Sequence, residues 1–166
     1  MLTGGHPNSL GRTVEVVEKV LADPARFDEL FDCYRSTDEV VRLRVSSAMK
    51  RVEAERRDLV LDYLDCLIAE IGALDQASAQ WTLAQLFERL EPDMTAPQRA
   101  GALAIMQRNL AEHSDWIVLN TTMQTLSNWA AGDTQLGQWL RPHLERLCRD
   151  PRKSVASRAR KLLAAH

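Results

Sequence analysis

Four aspartates, Asp38, Asp75, Asp115 and Asp150, each open a run in which apolar residues recur at i, i+4, i+7 and i+11. The runs are Val41, Val45, Ala48, Val52; Ala79, Leu83, Leu86, Leu90; Leu119, Met123, Leu126, Ala130; and Val155, Ala159, Leu162, His166. That spacing marks one stripe of a 3.6-residue helix. Their first members are 38, 40 and 36 residues apart, and another amphipathic segment precedes each run. A helical unit recurring at this period predicts stacked helical hairpins. One hairpin cannot bury its own apolar face, so its neighbours must close the core. Helices of an ordinary bundle also start at Asp and carry a stripe. Matching spacing in four successive hairpins favours the stack.

Helix punctuation agrees with this division. Asp23-Pro24 and Asp150-Pro151 place an acceptor before a proline whose missing N–H costs nothing at the first helical position. Ser36 and Glu39 have capping-box spacing, and Thr95, Ser114-Asp115 and Asp133 mark further starts. Gly72 and Gly132 suit left-handed helix ends. The marks predict helices near 10–21, 24–34, 38–54, 57–71, 76–90, 96–112, 115–131, 134–148 and 152–165. Pro142 should kink or restart the eighth. No period-two alternation or two-residue hairpin signal occurs, so strands are not expected.

The fold class expected is all-α. The 166 residues fit one domain, with a disordered leader over 1–9 and a single helical domain over 10–166. A hydrophobic content of 45% supplies a core. No apolar run reaches the roughly 18 residues of a membrane span, and the first residues lack the features of a signal peptide. Cys33, Cys66 and Cys148 are odd in number and far apart, each in an apolar helical pattern. They predict buried thiols in a reducing cytoplasm, with no disulfide framework, metal site or cofactor.

The best-matching segments are Asp38-Glu39-Val40-Val41-Arg42 through Ala48, and Asp150-Pro151-Arg152-Lys153-Ser154-Val155 through Leu163. Asp115 through Leu126 follows more loosely, with Asn120 after Leu119 where an arginine is favoured, and Asp75 through Leu90 lacks the Val-Arg pair. Over about residues 24–165 the chain resembles a HEAT-type helical repeat protein, a relative of the armadillo class. The resemblance implies a right-handed α-α superhelix, a HEAT-like solenoid of about four antiparallel helix pairs. Residues 10–21 would be an N-terminal capping helix. It also implies a concave face lined by the second helices, which in such proteins binds proteins and sometimes nucleic acid. Fold analogy alone names no activity.

On the second helices, the positions turned from the stripe include Lys50, Trp81, Gln85, Glu88, Thr121, Thr125, Asn128 and Lys161. An outward tryptophan suits a recognition surface, although packing on a neighbouring second helix is the simpler account of Trp81. The predicted function is a non-catalytic scaffold or adaptor with a protein partner. Its contact residues would be Lys50, Trp81, Gln85, Thr121, Gln124, Asn128 and Lys161.

The net charge of -2 conceals a division. Residues 58–93 hold eight acids against Arg89 alone, while eight bases stand against two acids from Arg141 onward. Nucleic acid is the alternative partner, with Arg42, Arg44, Arg158 and Arg160 as candidate phosphate contacts. The acidic stretch between them opposes a backbone running the whole face. A third reading rests on bacterial alkylpurine DNA glycosylases built from HEAT-like repeats, because Trp116 and Asn120 resemble their Trp/Asp pair in spacing. Asn120 is neutral and cannot stabilise a developing positive charge. Core packing accounts for Trp116, Trp129 and Trp139 more simply. There is no G-x-S-x-G, Walker A, G-x-G-x-x-G or H-E-x-x-H motif, so no catalytic residue is assigned.

Overall fold

The computed structural model describes residues 2–4, 6 and 9–165, and contains ten α-helices and no strand among them. The chain divides into two compact units, Met1–Thr82 and Leu83–His166, with the division falling inside one helix. None of the described helices is long and apolar enough to cross a membrane.

The first unit contains α1 (Thr13–Ala22), α2 (Phe27–Asp32), α3 (Glu39–Glu55), α4 (Arg57–Asp62) and α5 (Leu64–Ala69). The start of α6 (Ala77–Leu90) completes it. Helix α3 packs against α1 and α4. Its stripe residues Val41, Val45, Ala48 and Val52 are all buried. The segment expected as one helix over 57–71 is broken at Tyr63, whose backbone leaves the helical region at φ -101° and ψ 6°. The Tyr63 ring meets Phe27 and Phe31 at centroid distances of 4.8 and 5.0 Å. Beside this cluster the buried Tyr34 hydroxyl hydrogen-bonds Ser46 Oγ at 3.0 Å. Burial raises the Tyr34 pKa, so its hydroxyl stays neutral.

The described residues among the first nine are tied to this unit. Leu2 is buried, and the backbone carbonyls of Leu2, Gly4, His6 and Ser9 all accept from Arg44. Met1, Gly5, Pro7 and Asn8 lie outside the described residues. Gly11 has φ +54°, and a Cβ there would lie 3.0 Å from Arg44 Cζ. This is where the fold needs glycine, for both backbone angle and space. Gly72 and Gly132 do not take the left-handed conformation expected of them.

The second unit contains the end of α6, then α7 (Ala96–Glu112), α8 (Trp116–Ala130), α9 (Thr134–Leu147) and α10 (Lys153–Ala165). Helix α8 packs against α7, α9 and α10. Leu83, Leu86, Leu90, Leu119, Met123, Leu126, Ala130, Val155 and Ala159 are buried, and Leu162 is half-buried. His166, the last stripe position, lies outside the described residues. Helix α9 is continuous through Pro142, so the proline does not restart it. Pro142 is exposed, where water can replace the missing backbone donor.

Two of the four aspartates, Asp38 and Asp115, cap helices as their spacing predicts. Asp38 Oδ1 accepts from Val40 N–H at 2.8 Å, and Asp115 Oδ1 accepts from Ile117 and Val118. Asp38 therefore caps α3, and Ser36 instead accepts from the Asp38 N–H at 3.2 Å. The capping box that does form joins Thr95 and Gln98 at the start of α7.

Asp150 accepts from the Arg152 N–H at 2.9 Å and receives its guanidinium at 2.7 Å through both oxygens. The Arg152 hydrogen bonds hold the Asp150 carboxyl down to about 2. Its folded pKa lies below its ordinary value of 3.8, so this stabilisation is present above pH 4 and lost as pH falls towards 2. Urea midpoints measured from pH 5 to pH 2 should fall more steeply for the native chain than for Asp150→Asn. Parallel curves would show that Asp150 gains nothing from Arg152.

Candidate functional site

Within the second unit, the end of α6 together with α8 and α10 contributes to one cavity of about 250 Å³. Its lining is Gln85 and Glu88 from α6, Asn120, Thr121 and Gln124 from α8, and Arg158 from α10. Helical spacing explains the grouping. Gln85 and Glu88 are three residues apart on one face, as are Thr121 and Gln124. Leu86, Leu119 and Met123 hold the opposite faces in the core.

Hydrogen bonds fix much of the wall. Asn128 Nδ2 donates to Glu88 Oε1, and Thr125 Oγ1 donates to Glu88 Oε2 at 3.3 Å. Gln124 donates to Asn128 Oδ1 at 3.1 Å and accepts from Arg158 Nη1 at 3.0 Å. Thr121 Oγ1 donates back to the Ile117 carbonyl at 2.8 Å. Two wall atoms stand apart from this network. Gln85 Oε1 and Asn120 Oδ1 are buried without a hydrogen-bond partner. Burying such an acceptor unpaired costs about 1–3 kcal/mol.

The cavity brings together four of the expected residues, Gln85, Thr121, Gln124 and Arg158, and Asn128 joins through Glu88. Lys161 and Arg160 are exposed on α10 outside the lining, and Arg160 donates to the Cys148 carbonyl at 3.0 Å. Lys50 and Trp81 are half-buried members of the first unit. Thr125, expected on the outward face, is fully buried because its hydroxyl also reaches the Ala84 carbonyl of α6. Glu88 and Asn120 complete the site. Pattern turned Glu88 outward beside Gln85 without making it a contact residue, and Asn120 follows Leu119 where the resemblance favours an arginine.

Two of the candidate phosphate contacts, Arg44 and Arg42, make hydrogen bonds within the first unit. Arg44 is 1% exposed, with four of its five N–H groups spent on N-terminal carbonyls. Arg42 donates to Gln76 Oε1 and, at 2.6 Å, to the Ser36 carbonyl. Arg42 thus spends two of its five N–H groups on nearby oxygens, and Arg44 four.

The tryptophans divide. Trp129 is buried, with the Arg99 guanidinium 4.8 Å from its ring centroid, and Trp139 stacks on His143 at 4.2 Å. Burial and the nearby Arg146 charge lower the His143 pKa. Trp116 is 49% exposed, against the expectation of core packing. It is the first residue of α8, where the Cα–Cβ bond leans towards the helix N-terminus and past the helix body. Asn120 lines the cavity without Trp116.

A larger cavity of about 390 Å³ lies in the first unit, walled by Leu2, Val16, Val20, Leu30 and Val41, with Lys19, Arg26 and Glu29. None of the buried unpartnered atoms among the described residues belongs to its lining. Cys33, also in that wall, donates to the Glu29 carbonyl at 3.2 Å, and burial raises its pKa. A raised thiol pKa leaves it unreactive. The smaller cavity has the unmet polar groups and is the better candidate. Comparison with protein-family models, curated proteins and solved structures finds no match to this chain.

Proposed function

We propose that this chain is a non-catalytic binding module that holds a protein partner on the outward face of its second helices. In this reading the helix pairs form a HEAT-like stack, and the cavity is its recognition point. The observation that carries it is the gathering of Gln85, Glu88, Asn120, Thr121, Gln124 and Arg158, all polar or charged, around one cavity. The buried Asp-opened stripes support the repeat reading, because they leave the intervening positions free for recognition.

The test is selection from a random peptide library against the immobilised full chain. Selected peptides should lose about tenfold in affinity, near 1.4 kcal/mol, on Gln85→Leu or Asn120→Leu. Neither replacement removes an existing hydrogen bond, so circular dichroism should remain native. Trp116→Ala should leave affinity unchanged. Peptides indifferent to both cavity variants would overturn the proposed site. Mixed-sequence DNA at low salt, where phosphate contacts are strongest, should give no anisotropy change. Salt-sensitive DNA binding would favour the nucleic-acid reading instead.

A further inference from the structure

The larger cavity, in the first unit, differs in kind from the smaller one. Its volume of about 390 Å³ falls within the roughly 300–1,000 Å³ of small-molecule sites. Four parts of the chain supply its apolar walls: Val16 and Val20 from α1, Leu30 from α2, Val41 from α3 and Leu2 from the N-terminal segment. Val16 and Val20 are four residues apart, so they share one face of α1. Leu2, Val20, Leu30 and Val41 are buried, and Val16 is half-buried. The uncharged polar lining residues, Thr3, Cys33 and Ser36, are all exposed or half-buried. Such an interior holds a ligand by keeping it from water. An unbranched alkyl chain needs nothing else, whereas a polar ring would bury donors or acceptors without partners.

Charge is confined to the rim. Lys19 and Glu29 are exposed and Arg26 is half-exposed. Arg26 Nη2 donates to Glu29 Oε2 at 2.9 Å. Glu15, one turn before Lys19 on α1, is held by Arg12 at 2.6 Å. Two cations against one carboxylate leave the rim with one surplus positive charge, which favours an anionic head group. A single carboxylate matches that surplus.

One wall is set from a distance. The Leu2 carbonyl accepts from Arg44 Nη1 at 2.6 Å, and the same guanidinium nitrogen holds the Gly4 carbonyl. Arg44 is thus a positioning residue for the Leu2 wall.

We infer that this cavity binds a linear aliphatic monocarboxylate. Its alkyl chain would sit among Leu2, Val16, Val20, Leu30 and Val41, with its carboxylate at the rim by Lys19 and Arg26. At about 30 Å³ for each water-sized group, the volume holds on the order of a dozen chain carbons. The site shares no residue with the smaller cavity of the second unit.

Isothermal titration of the full chain with alkanoates from hexanoate to tetradecanoate, held below their micelle concentrations, tests it. Affinity should rise about fourfold for each added CH₂ and stop rising once the cavity is full. Decanol should bind more weakly than decanoate, and Lys19→Gln and Arg26→Gln should each narrow that ratio. Val16→Trp, at a half-buried wall position, should abolish binding while circular dichroism stays native. Arg44→Ala should weaken decanoate about tenfold by releasing Leu2. Gln85→Leu, in the smaller cavity, should bind decanoate as the native chain does.

The inference is overturned if no alkanoate binds, if decanol equals decanoate, or if neither charge variant changes their ratio. It is equally overturned if affinity climbs with chain length without limit and ignores Val16→Trp, as adsorption to an open apolar surface would.

Discussion

Arg44→Ala is expected to free the N-terminal segment and to lower the unfolding free energy by about 2–3 kcal/mol. The Arg44 guanidinium donates to the carbonyls of Leu2 and Gly4 at 2.6 Å, of Ser9 at 3.1 Å and of His6 at 3.2 Å. Four carbonyl dipoles converging on one cation make charge-assisted bonds, stronger than neutral ones. Truncation cannot leave them buried and unpaired cheaply. The least costly relaxation returns the segment to water, which resolvates the carbonyls but exposes Leu2. The net loss is therefore smaller than four separate bonds would suggest. Limited proteolysis should show faster cleavage within the first eleven residues, and urea unfolding should report the lower stability.

Arg44→Lys should not restore the native state, because three donors on one nitrogen cannot span carbonyls from four positions. Gly11→Ala should give a milder version. Its φ of +54° costs a side chain about 1–2 kcal/mol, and the added Cβ presses on Arg44 Cζ. Unchanged cleavage and stability in Arg44→Ala would show that the carbonyl cradle does not hold the segment.

Leu126→Ala should cost about 3 kcal/mol in the second unit, within the range for buried leucines. Leu126 is fully buried on α8, which packs against α7, α9 and α10. Thr121, five residues earlier on the same helix, is half-buried in the cavity wall. Thr121→Ala should remain within about 0.5 kcal/mol of the native chain. Urea unfolding of both variants separates stripe from recognition face. Equal losses would mean that the stripe does not divide core from surface.

The helices were legible because their apolar spacing and their caps agree. The stripe residues of Val41 to Val52 and Leu119 to Ala130 are buried as their period requires, and Asp38 and Asp115 cap as placed. Local pattern carries both signals. The break at Tyr63 was not legible, since it depends on ring contacts with Phe27 and Phe31 across more than thirty residues. Arg44 misled for the same reason. A basic residue in a Val-Arg-type segment reads as surface charge until the N-terminal carbonyls that consume it are in place. The candidate site was half legible. Period alone turned Gln85 and Thr121 away from the core. Recognising Glu88 and Asn120 required knowing which helices meet, and which buried oxygens were left without donors.

The side-chain amide signals of Gln85 and Asn120, followed by NMR as a selected peptide is added to the full chain, bear most directly on where this protein binds. Both should shift together and saturate with the affinity measured by titration, because both residues line the cavity. A peptide that saturates the chain while both signals stay fixed, with shifts confined to residues outside the cavity wall, would contradict the proposed site.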